Sequence, residues 1–237
     1  MIPRPDPARM TTTTPQPAEA GASAPPQKLA KAKRTFTPAN FLKTVRKVVA
    51  SSPAIIGSLF RPKTSKAVRE KVMLGVTAIN DCRYCAWGHS HWAAAQGIPL
   101  EEVNEILSSQ VGSLEASDPA EAAAILFGQH YAEQLDEIEP ESVQNLRNFF
   151  SEAQVQEILG HVFLMTFTNL SGNTVDVLLE RIRGTGRPIT VFEGVVGAVL
   201  APILFVLVLF VKLQKLVGIG RRRADRNQTA QAVISNH

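Results

Sequence analysis

Apolar residues recur at helical spacing through the middle of the chain. Over residues 65–79 they follow the i, i+4, i+7, i+8 rule, which predicts an amphipathic helix. A second helix is predicted over residues 82–96, because Asn80 or Asp81 can cap its start. Residues 100–107 predict a short further helix.

Capping signals mark the helices that follow. Residues 118–121, Asp-Pro-Ala-Glu, predict the start of a helix that runs towards Leu135, with Glu121 closing a capping box. Residues 151–154, Ser-Glu-Ala-Gln, are a second capping box that opens another helix. A separate last helix of the body is predicted over residues 174–183. No stretch shows sustained alternation and only 6% of the residues are aromatic, so we expect an all-α fold.

The last part of the chain contains a long apolar run. Residues 195–211 are 17 consecutive uncharged, apolar residues. As a helix they reach about 25 Å, and extension to residues 189–216 covers a hydrocarbon core of about 30 Å. Pro202 inside the run is tolerated in membrane helices. The alternative is a helix buried in the fold or in an oligomer interface. Because the run is apolar on every face and is followed by Lys212 and Lys215, we expect a transmembrane helix over residues 189–216.

Composition divides the chain into four parts. Residues 1–40 hold eight of the 15 prolines and a run of threonines without helical or strand spacing, so we expect a disordered arm. Residues 41–188 are the helical domain, residues 189–216 the apolar helix and residues 217–237 a basic tail. The arm has 6 Lys and Arg against 2 acids, and the last 26 residues have 6 against 1. The net charge of +4 thus comes from the two ends around an acidic body, and we expect no nucleic-acid partner.

The arm contains no apolar run of signal-peptide length, and its acids and prolines are unlike an organellar transit peptide. Basic residues flank the apolar run on both sides. The Lys and Arg count favours a cytoplasmic tail, whereas the lack of a leader favours a cytoplasmic body. We expect a single-pass membrane protein whose catalytic domain is cytoplasmic.

The segment that carries chemistry is Cys82-Arg83-Tyr84-Cys85, with His89 one turn later. On a helix, two thiols three residues apart share a face and can close a disulfide, and His89 lies four residues beyond Cys85 on that face. A thiolate is the reactive form, and an imidazole or a helix N-terminus lowers the pKa of a cysteine. Glu70 on the preceding helix can orient the imidazole. The spacing indicates a reactive dithiol in which His89 activates Cys85.

Three other uses of the cysteines fit the pattern less well. A structural zinc site needs four ligands, and His91, a candidate fourth, lies off the face of Cys82, Cys85 and His89. A thioredoxin-like dithiol is preceded by strands, whereas the sequence before Cys82 is helical. Two inert, buried cysteines beside a capping histidine stay open, because a CxxC pair alone is a moderate signal.

The spacing of Glu70, Cys82, Cys85 and His89 resembles the signature of the alkyl hydroperoxidase D-like branch of the carboxymuconolactone decarboxylase superfamily. The similarity extends over residues 41–185 and includes neither the arm nor the apolar helix. It implies an all-α helical bundle with dithiol peroxidase activity.

In such enzymes the second cysteine attacks the peroxide, and the first supplies a proton and then resolves the sulfenic acid as a disulfide. The resemblance therefore implies that Cys85 is the peroxidatic thiol, Cys82 the proton donor and resolving thiol, and Glu70 with His89 the proton relay. It implies a hydroperoxide substrate, a protein or small thiol as reducing partner, a homo-oligomer, and no cofactor or metal. Tyr84 is a departure, because the best-known enzyme has a histidine there, so the relay has one titrating group fewer.

Two functions of other classes remain open. One is a membrane-tethered interaction protein on the same fold, which has inert thiols and binds a partner through its acidic body. The other is a non-redox lyase like the decarboxylases of the superfamily, with Glu70 and His89 as acid and base. Thiol titration and activity after loss of both thiols distinguish these from a peroxidase.

Overall fold

The structure is a computed structural model that describes residues 33–109, 118–134 and 137–217. In these residues it contains nine α-helices and no strand, which confirms the all-α prediction. The predicted arm as far as residue 32, the basic tail from residue 218 and the predicted helix end at Leu135 lie outside the described residues.

The helices begin and end close to the predicted capping signals. Their bounds are α1 Pro38–Ala50, α2 Ser52–Phe60, α3 Lys66–Asn80, α4 Arg83–Ala95, α5 Leu100–Leu107, α6 Pro119–Gln134, α7 Pro140–Phe149, α8 Glu152–Ile182 and α9 Val191–Leu216. Asp118 caps α6 by accepting a hydrogen bond from the Glu121 N–H at 3.0 Å. At the start of α8, the Gln154 side chain accepts from the Ser151 N–H at 2.9 Å, as the predicted capping box requires.

Helices α3, α6 and α8 form the centre of the bundle. Their buried side chains make one apolar cluster, to which α7 contributes Val143 and Leu146. Two glycines let α3 and α6 approach closely: a Cβ on Gly75 would lie 3.0 Å from Ile125, and one on Gly128 would lie 3.1 Å from Val76. The backbones therefore meet where larger residues would hold them apart.

In a smaller apolar cluster, α4 and α5 pack against α3 and α6. It consists of buried aliphatic and alanine side chains of these four helices and of the turn between α4 and α5. Beside it, the Lys71 ammonium group lies 2.7 Å from a carboxylate oxygen of Glu102 and also pairs with Glu121. The carboxylate of Glu121, for which we predicted only a capping role, therefore joins α6 to α3.

Helix α8 differs from the prediction of two separate helices. It runs without interruption for 31 residues, through Gly172 and Asn173. Both residues, although poor helix formers, are explained by the turn that they pack against. The amide of Asn173 donates to the Asn80 carbonyl at 2.7 Å, and Gly172 lies against the Cys82 sulfur. Tertiary contacts thus outweigh the local cost of both residues in the helix.

The boundary of the N-terminal arm also differs from the prediction at residue 40. Residues 33–37 pack on the body, and Phe36 is 1% exposed among aromatic rings that include Phe167. Its N–H donates to the hydroxyl of Thr174 at 3.0 Å. Helix α1 then begins at Pro38. The proline-rich composition hides this junction, because one buried aromatic residue produces no periodic pattern.

The apolar run forms α9, a 26-residue helix long and apolar enough to cross a membrane. Its buried side packs along α8 and reaches α4. Near its start, the Glu193 carboxylate accepts from the Thr35 hydroxyl at 2.7 Å and pairs with Arg187. Near its end, Trp92 donates to Gln214 at 3.0 Å. The body therefore contacts α9 from its first turn to its last.

Candidate active site

A tight turn between α3 and α4 places the thiols. Asp81 ends α3 in the left-handed conformation, with φ of 53°, and its N–H donates to the Thr77 carbonyl. Asn80 and Asp81, either of which we expected to cap α4, belong to the end of α3 instead. Cys82 is the N-cap of α4, and its sulfur accepts from the Cys85 N–H at 3.4 Å. The first thiol is therefore held at a helix N-terminus, where backbone N–H groups stabilise a negative charge.

The two cysteines are free thiols that differ in accessibility. Cys82 is 1% exposed, whereas Cys85 is half-buried and lines a cavity. The Cys85 thiol donates to the Thr168 carbonyl on α8 at 3.7 Å. Gly172, one turn further along α8, faces both sulfurs: a Cβ there would lie 2.7 Å from the Cys82 sulfur and 3.8 Å from that of Cys85. Glycine at this position makes room for the pair.

The pKa values of the two thiols are shifted in directions opposite to our expectation that Cys85 is the activated thiol. The neighbouring Cys85 side chain lowers the pKa of Cys82, and the N–H groups of Cys85 and Tyr84 lower it further, against the effect of burial. The neighbouring Cys82 sulfur and burial raise the pKa of Cys85 well above its usual value. The pair therefore shares one ionisation, and its negative charge rests first on the enclosed sulfur of Cys82.

His89 is held by two neighbours. Its Nδ1 lies 2.8 Å from a carboxylate oxygen of Glu70 on α3, so the predicted partner is present. Its ring meets that of Trp92 edge to face, with centroids 5.0 Å apart. Both Glu70 and His89 are largely buried, with side chains 15% and 13% exposed. An imidazole oriented by a carboxylate in this way can accept and return a proton.

The predicted hydrogen bond between His89 and the Cys85 sulfur is not formed in the described part of the chain. His89 directs Nδ1 to Glu70, and Cys85 donates to Thr168 instead. Both side chains line the same cavity, one helical turn apart, so a molecule bound there can contact both. Catalytic contacts of this kind tighten when substrate binds, and proton transfer between the two groups would pass through a bound molecule.

Tyr84, where the resembled pattern has a histidine, belongs to a second polar network. Its hydroxyl donates to the carboxylate of Asp176 on α8 at 2.9 Å. Asp176 is 1% exposed, lies 2.6 Å from the Lys33 ammonium group and also pairs with Arg83. Burial raises the pKa of the Tyr84 phenol, so it stays protonated near neutral pH. Tyr84 is therefore a hydrogen-bond donor that fixes α4 on α8.

Sequence reasoning missed the contribution of α8. Thr168, Gly172 and Asp176 follow each other at intervals of four residues, so they lie on one face of the helix, towards α4. This row of small and polar residues within an otherwise apolar helix was the sequence signal that α8 contacts the thiols. It was obscured because Gly172 and Asn173 resemble a helix break.

A cavity of about 360 Å³ opens beside Cys85 and His89. Helix α4 contributes both of these residues together with Trp87 and Trp92, and α8 contributes residues from Phe167 to Val175. The remaining wall is α9, with six aliphatic residues from Leu200 to Val211. The helix that the sequence set apart as a membrane anchor is thus one side of the candidate active site.

Among the described residues, no group of three or more His, Cys, Asp and Glu side chains could hold a metal ion. The cavity beside Cys85 is lined by His89, which Glu70 orients, by two tryptophans, by the hydroxyl residues Thr168 and Ser171, and by aliphatic groups. This arrangement supports thiol chemistry and proton transfer at the polar end of an apolar cavity.

Comparison with known proteins gives one relationship. No curated protein and no solved structure matches the chain. A sequence model of the carboxymuconolactone decarboxylase family matches residues 54–128, a segment that contains Glu70, Cys82, Cys85 and His89. The match supports a relationship to that superfamily for the part of the chain from α2 to α6, and α8 and α9 lie beyond it.

Proposed function

We propose that the protein is a dithiol peroxidase that reduces hydroperoxides through Cys82 and Cys85. The observation that carries the proposal is the placement of Cys85 on the wall of a cavity, beside the Cys82 sulfur at a helix N-terminus and one turn from His89, which pairs with Glu70. A family match that includes all four residues supports it.

The reaction begins with a proton shift inside the pair. When a hydroperoxide ROOH enters the cavity, the Cys82 thiolate takes the proton of Cys85. The Cys85 sulfur then attacks the terminal oxygen: an S–O bond forms, the O–O bond breaks, and the leaving alkoxide takes the proton held on Cys82. The products are the alcohol ROH and a sulfenic acid on Cys85. His89, oriented by Glu70, donates a hydrogen bond to the oxygen that develops charge.

The Cys82 thiolate then attacks the sulfenic sulfur. The S–S bond forms, the S–O bond breaks, and hydroxide leaves as water after it takes the Nε2 proton of a His89 ring protonated on both nitrogens, which regains that proton from the reducing dithiol. A dithiol, which is either a partner protein or a small molecule, returns two electrons and two protons to the disulfide. Cys82 is suited to resolution because Gly172 lets its sulfur lie close to that of Cys85.

Peroxide consumption by single-thiol variants tests the proposal. The chain has two cysteines, so Cys85→Ser and Cys82→Ser each leave one thiol. With dithiothreitol as reductant, we expect Cys85→Ser to reduce consumption to the background of the reductant. Cys82→Ser should form a sulfenic acid but no internal disulfide, which mass spectrometry detects. Turnover that survives Cys85→Ser would refute the assignment.

A non-redox lyase is a second candidate, favoured by the contact of His89 with Glu70 rather than with Cys85. In that case both thiol variants keep full activity on a carboxylated substrate, and only Glu70→Gln and His89→Gln lose it. An interaction protein without activity predicts cysteines that are alkylated slowly and form no disulfide with each other under oxidant. The accessibility of Cys85 to the cavity argues for the faster reaction of one thiol.

We propose further that α9 attaches the protein to a lipid bilayer. Its outer face is apolar and exposed, with exposures of 64% for Val199, 69% for Phe205 and 52% for Phe210. Arginines precede the helix, and Lys212 lies near its end, where anionic lipid headgroups favour it. The ammonium group of Lys215 lies 4.4 Å from the centre of the Trp87 ring instead. Because the body contacts α9 along its whole length, we favour a helix that lies in one leaflet over the single-pass span expected from sequence.

Protease protection in sealed vesicles separates the two arrangements. An epitope tag on the C-terminus should be cleaved from the same side as the body if α9 lies in one leaflet. Protection of the tag while the body is cleaved would establish a span. Pelleting with vesicles should be lost in Phe205→Asp, on the outer face, and kept in a matched exposed variant of α2, Leu59→Asp. Cross-linking without lipid tests whether a second copy covers the face in a homo-oligomer.

A further inference from the structure

The cavity beside the thiols is larger and more apolar than a peroxide group requires. Its volume of about 360 Å³ lies within the range of small-molecule sites. The polar side chains in its lining come from α4 and α8, the helices that carry or contact Cys85. Every lining residue from α9 is aliphatic: Leu200, Ile203, Leu204, Leu207, Val208 and Val211.

We infer that this cavity binds the alkyl chain of a long-chain hydroperoxide, with the hydroperoxide group at Cys85 and the chain against α9. The inference rests on the proposed peroxidase function and names its substrate class. An aliphatic wall from α9 together with polar groups from α4 and α8 matches an amphiphile, because the chain gains by leaving water and the oxygens keep polar partners.

The position of the cavity mouth indicates how such a substrate arrives. Ile203 and Leu207 line the cavity and are still 56% and 49% exposed, so the cavity opens at the apolar surface of α9. A hydroperoxide dissolved in lipid meets this opening directly. Hydrogen peroxide has no alkyl chain, so an apolar opening does not favour its entry.

The expected preference can be given as a fold-change. Burial of one methylene group contributes about 0.8 kcal/mol, which corresponds to about fourfold in kcat/KM. For the 1-alkyl hydroperoxides from butyl to dodecyl, kcat/KM should therefore rise with each added methylene until the cavity is filled. Hydrogen peroxide should be the poorest substrate of the series.

Two glycine variants provide a matched pair. Gly88 lines the cavity from α4, and a Cβ there meets no atom within 4 Å, so Gly88→Leu fills the space that the chain would occupy. Gly57 on α2 is equally free of neighbours and does not line the cavity. Gly57→Leu therefore introduces the same side chain into a helix without affecting the binding site.

Tryptophan fluorescence gives a readout that does not depend on turnover. The two tryptophans of the chain, Trp87 and Trp92, both line the cavity. Titration of the full chain in lipid nanodiscs with 1-dodecanol, a product of the series, should change their emission to saturation. Gly88→Leu should abolish this change and Gly57→Leu should keep it, because partition into the nanodisc lipid is common to both.

The result that supports the inference is a chain-length dependence that is steep in the wild type and in Gly57→Leu and flat in Gly88→Leu. Equal kcat/KM for hydrogen peroxide and dodecyl hydroperoxide in the wild type would overturn it and leave the peroxidase standing. Should Gly88→Leu fail to fold, the wild-type series and the dodecanol titration decide alone. If dodecanol binds but no hydroperoxide is consumed, the peroxidase proposal fails and the assignment of a hydroperoxide falls with it.

Discussion

Gly172 provides the sharpest test of the geometry at the thiols. Substitution by alanine places a methyl group 2.7 Å from the Cys82 sulfur, closer than side chains pack, and 3.8 Å from the Cys85 sulfur. The Cys82 sulfur has to move, yet it is 1% exposed and caps α4 by accepting from the Cys85 N–H. Gly172→Ala therefore strains the packing and weakens the cap.

The size of the effect follows from three contributions. Alanine in place of glycine inside a helix stabilises it by about 1 kcal/mol. Overpacking of a tight site costs about 1–3 kcal/mol, and loss of an N-cap costs about 1 kcal/mol. We expect a net loss of about 1–3 kcal/mol in the free energy of unfolding. Because the displaced sulfur loses its N–H donors, the pKa of Cys82 should also rise.

The matched control is Gly57→Ala. Gly57 is helical, and an added Cβ there meets no atom within 4 Å. Only the helix-propensity gain of up to about 1 kcal/mol applies to it. The assays are urea unfolding of the reduced protein followed by circular dichroism, and the rate of alkylation by iodoacetamide as a function of pH.

Two results together would refute the geometry. If Gly172→Ala is as stable as Gly57→Ala and its alkylation profile matches that of the wild type, the Cys82 sulfur does not lie against Gly172. A loss of stability with an unchanged profile would show that the contact is structural and that the N-cap does not control the thiolate.

Three further predictions concern polar groups that are buried or partly buried. Burial lowers the pKa of His161 from 6.5 to about 4. The free energy of unfolding should therefore be highest above pH 6.5 and fall by about 3 kcal/mol as the pH approaches 4, which urea unfolding at both pH values tests. The same loss in a His161→Gln variant would contradict this. Asp176→Asn removes a negative charge that raises the pKa of Cys82, so the alkylation profile should shift to lower pH, and an unchanged profile would exclude this influence. Trp92→Phe removes the hydrogen bond to Gln214, which contributes about 1 kcal/mol. Trypsin should then cleave the last turn of α9 faster than in the wild type. Equal cleavage rates would show that this bond does not hold the end of the helix.

Much of the fold was predictable because it depends on local signals. The Asp118 cap, the Ser151–Gln154 pair and the apolar spacing before Cys82 identified helices that the structure contains. The apparent break in α8 was wrong, because a glycine and an asparagine that are unfavourable in isolation are stabilised by the turn at Asn80.

The candidate site was predictable only in part. The spacing from Glu70 to His89 correctly suggested that a carboxylate meets the imidazole, and the structure gives 2.8 Å between them. It did not show that Cys85 donates to Thr168, or that Tyr84 donates to Asp176. Both partners lie more than 80 residues further along the chain, on α8.

The spacing of residues along the chain was enough to show which side chains share a helix face: the two thiols with His89, and the aliphatic residues of α9. The tertiary structure alone decided which helix covers each face, and therefore which sulfur is enclosed, which one meets the cavity, and that α9 forms its wall. The physical reason is that spacing along a helix is set by its backbone hydrogen bonds, whereas the choice of neighbour depends on packing between segments far apart in the chain.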